Sequence, residues 1–311
     1  MKIVVAGGSG FLGQVLRRHF EASGSTVVAL SRTPDRDSGP GTAVAWDGRT
    51  LGPWAAHVSG ADVLINLCGK SVDCRYTPAN RQAIYDSRLC STRLLGEAVA
   101  ASAAPPRLWI NASSGTIYRH AEDRDMDEMT GELGEGFSVD VCREWERTFF
   151  DAPITECVRR VALRIAIVLG RGGGAFTPLC ILTRLGLGGR QDNGRQYISW
   201  LHEEDFARIV EHVIAHESLT GAVNVAAPAP VTNAAFMAAL RGACGMPVGI
   251  PTPAWLLEIG AAIIRTETEL ILKSRRVAPQ RLLDSGYTFR FPELEPALAN
   301  LLGRESTRVD C

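Results

Sequence analysis

The sequence predicts an α/β fold in which a doubly wound parallel sheet carries helices on both faces, with a smaller lobe at the C-terminal end. Two observations support this prediction. Short apolar runs of strand length alternate with amphipathic helical stretches through residues 1–170, and such alternation builds parallel sheets from β-α-β units. The loops after these runs lie at the carboxyl ends of the strands, where sheets of this kind bind their ligands.

The first strand and the first helix enclose a glycine motif. Residues 3–6 are an apolar run that predicts a buried strand, and they lead directly into Gly7-x-x-Gly10-x-x-Gly13 and an amphipathic helix. In a Rossmann-type dinucleotide site the first glycine permits the turn, the second lets the backbone approach the pyrophosphate and the third allows close helix packing. A purely structural glycine turn is the alternative. The cofactor contacts predicted in this segment are Gly7, Ser9, Gly10, Phe11, Leu12 and Gly13.

The end of the second strand indicates which cofactor this site takes. The apolar run at residues 26–30 continues with Ser31 and Arg32. An NAD site commonly places an acid here on the ribose hydroxyls, whereas a guanidinium can hold a 2′-phosphate through paired, charge-assisted hydrogen bonds. Because no acid ends the strand, we predict NADP (NADPH) and assign Ser31 and Arg32 to it. The alternative is that Arg32 is a solvated surface charge close to Asp35 and Asp37.

The third and fourth strands bring further residues to the same edge of the sheet. Residues 43–46 predict a third strand, and residues 61–66 predict a clearer fourth. The residue after the third strand would lie near the adenine, and the loop after the fourth would lie beside the glycine motif. The cofactor contacts predicted at these strand ends are Asp47, Leu67, Cys68 and Gly69.

The alternation of helices and strands continues through the middle of the chain. Apolar residues at helical spacing predict a long helix over residues 78–102, and residues 107–111 predict the fifth strand. The acidic, turn-rich segment 122–135 predicts a surface loop. A helix is predicted over residues 137–150, and one more buried strand is predicted over residues 161–169.

Composition and charge argue against several classes of protein. The net charge is -1, which gives no long-range attraction to nucleic acid or to anionic lipid. No apolar run approaches the ~20 residues that span a bilayer, and the first strand leaves no room for a signal peptide. The 8 cysteines are scattered without a CxxC pair, which is typical of reduced thiols and predicts no metal site. We therefore expect a cytoplasmic protein that acts on a small molecule, with homodimer formation left open.

The segment after the fifth strand resembles a known superfamily. It contains Ser113-Ser114-Gly-Thr-Ile-Tyr118, and it is similar to the strand end of the extended short-chain dehydrogenase/reductases, which include sugar-nucleotide epimerases and dehydratases. In that superfamily a Ser or Thr at this place bonds the reacting oxygen. The resemblance implies this role for Ser114, with Tyr118 as the proton donor. The alternative is that the hydroxyl groups only cap the strand.

The main catalytic motif of that superfamily, Tyr-x-x-x-Lys, is missing. Alignment on Trp145-Glu146 puts Ser138 in the tyrosine position and Cys142 in the lysine position. A serine hydroxyl is far less acidic than a phenol, and a neutral thiol carries no positive charge, so neither residue replaces its counterpart directly. We interpret Cys142 as a packing residue and not as a nucleophile.

Several segments resemble a narrower group, the YfcH-like proteins. Matching segments begin at Asn66, Cys74, Ser87, Val141, Leu163 and Ile198, and others follow toward the C-terminus. The resemblance implies an atypical extended short-chain dehydrogenase/reductase of the epimerase family that binds NADP and has no settled substrate. It places Arg88 at the cofactor and Arg75 at the substrate. His202 could move a proton near the cleft; the alternative is an ordinary residue before a helix, bonded to Asp205.

These inferences predict two lobes and an enzyme. Residues 1–170 form the NADP-binding Rossmann domain, to which residues 203–227 return, and residues 171–202 and 228–311 form the smaller substrate or cap lobe. We expect an NADP-dependent oxidoreductase or epimerase-like enzyme acting on a carbonyl compound or a nucleotide sugar. The alternative is a catalytically silent NADP-binding sensor or scaffold. The missing Tyr-Lys pair favours the sensor, whereas the serine-tyrosine segment and the cap lobe favour the enzyme.

Overall fold

A seven-stranded parallel sheet with helices on both faces forms the centre of the protein and confirms the predicted fold class. The computed structural model describes residues 1–34, 39–258, 267 and 269–304; Asp35 and Asp37 lie outside the described residues. The strands are β1 (Lys2–Ala6), β2 (Thr26–Ser31), β3 (Thr42–Ala45), β4 (Val63–Asn66), β5 (Leu108–Ser114), β6 (Arg159–Ile165), β7 (Ile167–Gly170), β8 (Gly173–Gly174), β9 (Tyr197–Ile198), β10 (Trp200–His202), β11 (Gly221–Val225) and β12 (Val231–Thr232). The helices include α1 (Phe11–Ala22), α2 (Pro78–Ala100), α3 (Phe137–Phe150), α4 (Phe176–Leu182), α5 (Glu203–Ala215) and α6 (Asn233–Cys244), followed by short helices at Glu269–Leu272, Gln280–Asp284 and Leu294–Leu301.

The strand order creates a crevice at one edge of the central sheet. The order is β3-β2-β1-β4-β5-β6-β11, and every neighbouring pair is parallel. It changes direction between β1 and β4, where Ala6 pairs with Asn66. Open α/β sheets bind ligands at the carboxyl ends of the strands at such a switch point. The loops after β1 and β4 therefore meet where a ligand is expected.

Both faces of the sheet are buried, which explains why its strands are continuous apolar runs. In β1, Ile3 and Val5 belong to the core that packs with α1 and α5. Val4, between them, belongs to the core that packs with α2 and α3. Alternate residues of one strand thus enter two separate hydrophobic layers, as the period of a strand requires.

The single strand predicted over residues 161–169 is wrong, because the chain changes partners at Ala166. The Ala166 backbone N–H donates to the Val225 carbonyl at 3.0 Å, and the next N–H, of Ile167, donates to the Ser199 carbonyl at 3.2 Å. The first part, β6, stays in the central sheet, while β7 pairs with β8 and β10 in a separate three-stranded sheet. The apolar run continues across the break, so hydropathy does not mark it.

A third hydrophobic core, separate from the two on the faces of the central sheet, lies beyond this break. It joins β7, α4, β10 and α6 to the helix Leu294–Leu301, and Trp200 and Phe236 are buried at its centre. The chain also returns to the first core, because β11 pairs with β6 and α5 packs on the same face as α1. The lobe boundaries expected from the sequence stay a prediction.

Candidate functional site

The glycine loop after β1 is packed so closely that a side chain has no room at two of its three positions. Gly7 has a φ of +79°, and a Cβ atom there would lie 3.0 Å from the carbonyl carbon and oxygen of Leu67. A Cβ atom at Gly13 would lie 2.5 Å from the Gly7 carbonyl oxygen. At Gly10 the nearest atom would be 3.4 Å away, so the middle position stays open to a ligand. This division of roles is the one that a dinucleotide motif requires.

Helix α1 begins at this loop with its N-terminus uncapped. Its N-cap residue is Gly10, and no side chain accepts a hydrogen bond from the first backbone N–H groups. Ser9 and Gly10 are exposed beside them. Unsatisfied N–H groups and the positive end of the helix dipole favour a phosphate at this position. Together with the spacing of the glycines, this arrangement fits a bound dinucleotide.

Phe11 connects the glycine loop to the three-stranded sheet of β7, β8 and β10. Its side chain lies against the β7–β8 hairpin, where Cβ atoms added at Gly170 and Gly173 would come within 2.4 and 2.8 Å of it. Only residues without a side chain leave space for the ring. The residue predicted to contact the cofactor therefore also has a packing role.

The ends of β2 and β3 place two predicted cofactor residues in different situations. Arg32 is exposed and forms no ion pair with a described residue. Ser31 is buried, and its hydroxyl accepts from the Thr33 backbone N–H at 3.2 Å. The Asp47 carboxylate is bonded within its own turn, by the Thr50 hydroxyl at 2.7 Å and two backbone N–H groups, and these bonds lower its pKa to about 2. Among the described residues Arg32 has no acidic partner, whereas the Asp47 carboxylate is already bonded within its own turn.

The loop after β4 is held in place by a buried asparagine. The Asn66 Oδ1 accepts from the Cys68 backbone N–H at 3.0 Å, and its Nδ2 donates to Asn111 Oδ1 at 2.7 Å and to Thr92 Oγ1 at 3.0 Å. Asn66 thereby ties β4, β5 and α2 together below the loop. The predicted cofactor residues Leu67, Cys68 and Gly69 stand on this support.

A pocket of about 330 Å³ opens beside the two loops, at the carboxyl ends of the central strands. One wall comes from α1 and the β4–α2 loop, and the opposite wall comes from the end of β5 and the first turns of α3. The residues on the first wall are Leu12, Leu67, Cys68, Gly69, Lys70, Ser71, Val72 and Tyr76, with Ile84 and Arg88 of α2. Those on the second are Ala112, Ser113, Ser114, Thr116, Phe137, Ser138, Val141, Cys142, Trp145, Ile165 and Ala166.

Ser114 lines this pocket and also caps the turn that follows β5. Its Oγ accepts from the Thr116 backbone N–H at 3.2 Å and donates to Thr116 Oγ1 at 2.9 Å. Ser113, its neighbour, donates instead to Glu146 Oε1 at 2.6 Å. The capping alternative is therefore present in the structure. Ser114 nevertheless faces the pocket, so its role toward a substrate oxygen stays a prediction.

The proton-donor role predicted for Tyr118 needs correction, because its hydroxyl lies outside the pocket. Tyr118 is 1% exposed. Its hydroxyl donates to Asn224 Oδ1 at 2.9 Å and accepts from Arg164 Nη1 at 2.9 Å. Burial raises the pKa of the phenol. The Arg164 guanidinium also forms a two-pronged pair with Glu146, with both distances at 2.8 Å. Tyr118 thus belongs to a polar network behind the pocket wall.

Arg88 brings a positive charge into the pocket. Its Nη1 donates to the carbonyl groups of Lys70 and Ile84, each at 3.1 Å, and its guanidinium lies 5.1 Å from the Trp145 ring centroid. Among the described residues no carboxylate pairs with it. Burial lowers its pKa, since removing a cation from water without a counter-charge is costly. A cation in this environment favours the binding of an anionic or electron-rich ligand.

Tyr76 and Ser138 meet across the pocket. Their hydroxyl oxygens are 3.4 Å apart, and Ser138 also donates to Glu269 Oε2 at 3.1 Å. The Tyr76 ring packs edge-to-face on Phe137, with centroids 4.8 Å apart. The phenol therefore reaches the start of α3 from the loop before α2. Sequence reasoning did not select Tyr76 as a site residue.

The two thiols of the pocket are in the neutral form. Burial raises the pKa of Cys68 to about 12 and that of Cys142 to about 12. A thiolate is the reactive form of cysteine, and it is absent near neutral pH at such values. The geometry supports the interpretation of Cys142 as a packing residue.

His202 also needs correction, because it caps a helix. Its Nδ1 accepts from the Glu204 backbone N–H at 3.0 Å, which makes it the N-cap of α5. Its Nε2 lies 3.2 Å from Asn300 Oδ1, and its ring stacks on Phe291 at 4.0 Å. The side chain is buried away from the pocket, and this burial lowers its pKa to about 4. Asp205, the partner suggested by the sequence, instead accepts from the Tyr287 hydroxyl at 2.8 Å.

Arg75 does not line the pocket either. It is exposed, and its Nε lies 3.9 Å from Glu267 Oε1. Its assignment to the substrate came from the spacing of a motif, which does not determine the direction of a long side chain. The structure thus brings Leu12, Leu67, Cys68, Gly69, Arg88 and Ser114 together around one pocket. It leaves Tyr118, Arg75 and His202 outside.

Two features expected from composition can be compared with the described residues. Within the described ranges no group of three or more His, Cys, Asp or Glu side chains could hold a metal ion. Over the same part of the chain, no helix has both the length and the apolar character needed to cross a membrane.

Comparison with known proteins gives matches to two families and to whole-length relatives. Residues 3–136 match the NAD dependent epimerase/dehydratase family, and residues 252–301 match a domain of unknown function (DUF1731). The epimerase family protein SDR39U1 of Bos taurus is 32% identical over 307 residues, which cover 97% of this chain and 100% of the relative. The similarity therefore extends over nearly the whole chain.

Solved structures add information on cofactors. Human epimerase family protein SDR39U1 (isoform 2), solved with NADPH, is 31% identical, with a TM-score of 0.86 and coverage of 97% of this chain and 99% of that one. MoeE5, solved with UDP-glucuronic acid and NAD, is 20% identical, with a TM-score of 0.76 and coverage of 97% and 98%. The second likeness shows the fold alone.

Proposed function

The chain belongs to the NAD-dependent epimerase/dehydratase family, and from this premise we propose that it is an NADP-dependent oxidoreductase acting on a small carbonyl or hydroxyl compound. One observation carries the proposal. The pocket is lined by Leu12 of α1 and by the loop after β4, which both adjoin the glycine loop, and also by Ser114 at the end of β5. A redox reaction with a nicotinamide cofactor needs this arrangement, because the substrate must lie between the cofactor and groups that orient its oxygen.

The cofactor would be held mainly by backbone. The glycine loop and the N-terminus of α1 offer N–H groups to the pyrophosphate, and the loop at Leu67–Gly69 lies beside the pocket. Arg32 supports the choice of NADP, since an exposed guanidinium without a described acidic partner suits a 2′-phosphate. A relative solved with NADPH supports the same choice. Bound NADPH supplies the hydride for reduction.

The chain's own residues orient the substrate and exclude water. Ser114 can turn its hydroxyl from Thr116 to a substrate oxygen at the pocket surface. Behind it, Ser113 is held by Glu146, which is fixed by Arg164, so the end of β5 has little freedom to move. Pre-organised donors of this kind favour the transition state without reorganisation at the moment of reaction.

Calorimetry on the Arg32→Ala variant tests the cofactor assignment. The wild type should bind NADPH more tightly than NADH, and the variant should lose about ten- to hundredfold in NADPH affinity while keeping its NADH affinity. Such a charge-assisted contact contributes about 1.5–3 kcal/mol. Arg18→Ala is the matched control, because Arg18 is an exposed arginine on α1. Equal affinities of the wild type for the two cofactors would refute the NADP assignment.

A catalytically silent NADP sensor is the second candidate. The observation in its favour is that α3 presents Ser138 and a neutral Cys142 to the pocket. In a sensor, Ser114→Ala would leave the output unchanged, while changes at Gly10 or Arg32 would abolish it. Screening carbonyl compounds and sugar nucleotides for NADPH consumption separates the two candidates, since a sensor consumes none.

A further inference from the structure

The reaction needs a proton donor that the predicted residues do not supply. Reduction of a carbonyl group adds a proton to the oxygen as the carbon is reduced. Tyr118 is buried with both of its hydroxyl interactions satisfied inside the protein. Both pocket thiols have pKa values raised by desolvation, and Cys142 is buried. Ser113 already donates to Glu146. Among the described residues that line the pocket, Tyr76 is the only phenol.

Tyr76 is held in place from three sides. Its ring packs on Phe137, its backbone N–H donates to Glu267 Oε1 at 2.6 Å, and its carbonyl accepts from Arg81 Nε at 3.0 Å. Among the described residues, by contrast, its hydroxyl has a single long contact, the 3.4 Å approach to Ser138. A fixed ring with a weakly engaged hydroxyl can give its proton to a ligand without losing a strong bond.

A positive charge lies on the same side of the pocket. Arg88 has no carboxylate partner among the described residues, and its guanidinium interacts electrostatically with the Tyr76 phenol. A phenolate formed at Tyr76 would be stabilised by this cation, because both groups are partly buried and opposite charges attract more strongly there than in bulk water. Other charged or titratable groups near the phenol include Glu269, Cys74 and Glu267, which raise its pKa, Arg81, which lies over its ring, and Lys70, which lines the same pocket.

We propose that Tyr76 is the proton donor of this site and that Arg88 stabilises the phenolate left behind. The inference rests on the proposed function. In the reductive direction the carbonyl carbon accepts the hydride that NADPH supplies, the C=O π electrons move to the oxygen, and that oxygen takes the Tyr76 proton. The O–H electron pair stays on Tyr76 as phenolate. Burial raises the pKa of Tyr76, so the phenol holds its proton until an oxygen that gains negative charge comes within reach.

A chain of polar groups returns the proton. Ser138 lies next to the phenol and donates to Glu269, and Glu269 pairs with Lys273 Nζ at 2.5 Å. The Lys273 side chain is 35% exposed, so the chain leads from the pocket to solvent. A proton taken up at Lys273 can pass by way of the carboxylate and the serine hydroxyl to the phenolate. Tyr76 and Ser138 therefore act together although they come from different segments.

The first test does not depend on knowing the substrate. Incorporation of 3-fluorotyrosine lowers the pKa values of the tyrosine phenols, so that they titrate at pH values where the protein stays folded. ¹⁹F NMR then follows the titration of each tyrosine. The Tyr76 signal is the one missing in Tyr76→Phe. NADP⁺, whose ring is positively charged, should lower the Tyr76 titration midpoint by about one unit relative to NADPH. Tyr85 also packs on Phe137 but does not line the pocket, and its midpoint should be the same with both cofactors. Equal Tyr76 midpoints would overturn the proposal.

The second test separates this proposal from the proposed function. With any carbonyl compound that the wild type reduces, Tyr76→Phe should lower kcat by about a hundred- to ten-thousandfold and keep NADPH affinity within about threefold. Tyr85→Phe is the matched control and should keep kcat. Full turnover in folded Tyr76→Phe would refute the proton donor and leave the oxidoreductase intact. A wild type that binds neither NADP⁺ nor NADPH would refute both.

Discussion

The two walls of the pocket are built by different means. The first wall comes from Leu12 of α1 and the loop after β4. Its shape depends on the neighbouring glycine loop, where a Cβ atom at Gly13 would lie 2.5 Å from the Gly7 carbonyl oxygen. The wall formed by β5 and α3 presents side-chain ends, which are held from behind by the Glu146–Arg164 pair. The first wall is sensitive to an added methyl group, and the second is sensitive to a lost hydrogen bond.

This difference explains what each wall can do. Backbone N–H groups at a helix N-terminus recognise phosphate whatever the side chains are, so the first wall suits a ligand shared by many proteins. The second wall takes its chemistry from residues that are far apart in sequence, such as Ser114 and Ser138. It can change substrate or reaction while the cofactor stays the same.

The largest effect is expected behind the second wall. Glu146→Gln should lower the free energy of unfolding by about 3–5 kcal/mol, because Arg164 would remain buried without its carboxylate. Urea unfolding followed by tryptophan fluorescence measures the loss. Glu144→Gln is the control, since Glu144 is an exposed partner of Arg147 on the same helix and should change stability by less than about 1 kcal/mol. If the two changes lowered the free energy of unfolding equally, the Glu146–Arg164 pair would not be what holds the second wall in place.

An added methyl group tests the first wall. Gly13→Ala should lower NADPH affinity by about ten- to hundredfold, because forcing a Cβ against the Gly7 carbonyl shifts α1 at a cost of about 1–3 kcal/mol. Gly172→Ala is the matched control, since no atom lies within 4 Å of a Cβ placed there. Calorimetric titration with NADPH compares them. Unchanged affinity in Gly13→Ala would show that the loop adapts and that its close packing is not needed for binding.

Tyr118 sharpens the comparison between structural and catalytic phenols. Tyr118→Phe should lower the free energy of unfolding by about 1–3 kcal/mol, because Asn224 and Arg164 each lose a buried partner. NADPH-dependent turnover of the folded variant should stay within a few-fold of the wild type. Thermal unfolding and steady-state kinetics on the same preparation give both values. A stable variant without turnover would restore Tyr118 as a proton donor.

The smallest effect is expected at Cys142. Cys142→Ala removes one buried sulfur atom and should cost about 1 kcal/mol of stability, with NADPH affinity and turnover nearly unchanged. The reason is that a thiol with a pKa of about 12 carries no negative charge at neutral pH. Loss of turnover in the folded variant would contradict this expectation and indicate a thiol mechanism.

The fold and the first wall could be predicted from the sequence because their signals are local. Gly7, Gly10 and Gly13 lie within one strand–loop–helix unit; Gly7 and Gly13 meet a steric requirement that a side chain would violate, and Gly10 leaves space for a ligand. The apolar runs of the central strands likewise follow from burial on both faces. The break at Ala166 was missed because both of its sides are apolar, and only the change of hydrogen-bond partners reveals it.

The second wall could be predicted only in part, because it is assembled from distant segments. Ser114 was found at a strand end, where position alone suggests a role. Tyr118, four residues later, points into a network completed by Asn224, which is 106 residues away. Tyr76 reaches Ser138 over 62 residues, and neither residue carries a local signal of the contact. For Tyr76, the one signal in the sequence was its position in the loop after β4, where a site residue is expected.

The Phe11 ring links the glycine loop to the β7–β8 hairpin by direct packing. Its side chain occupies the space left by Gly170 and Gly173, so order in the loop and order in the β7–β8 hairpin depend on the same ring. A ligand that immobilises the start of α1 also immobilises the hairpin, and heat that loosens the hairpin frees the loop. We therefore expect a ligand bound at the start of α1 to protect the β7–β8 hairpin as well as the glycine loop from proteolysis and thermal unfolding.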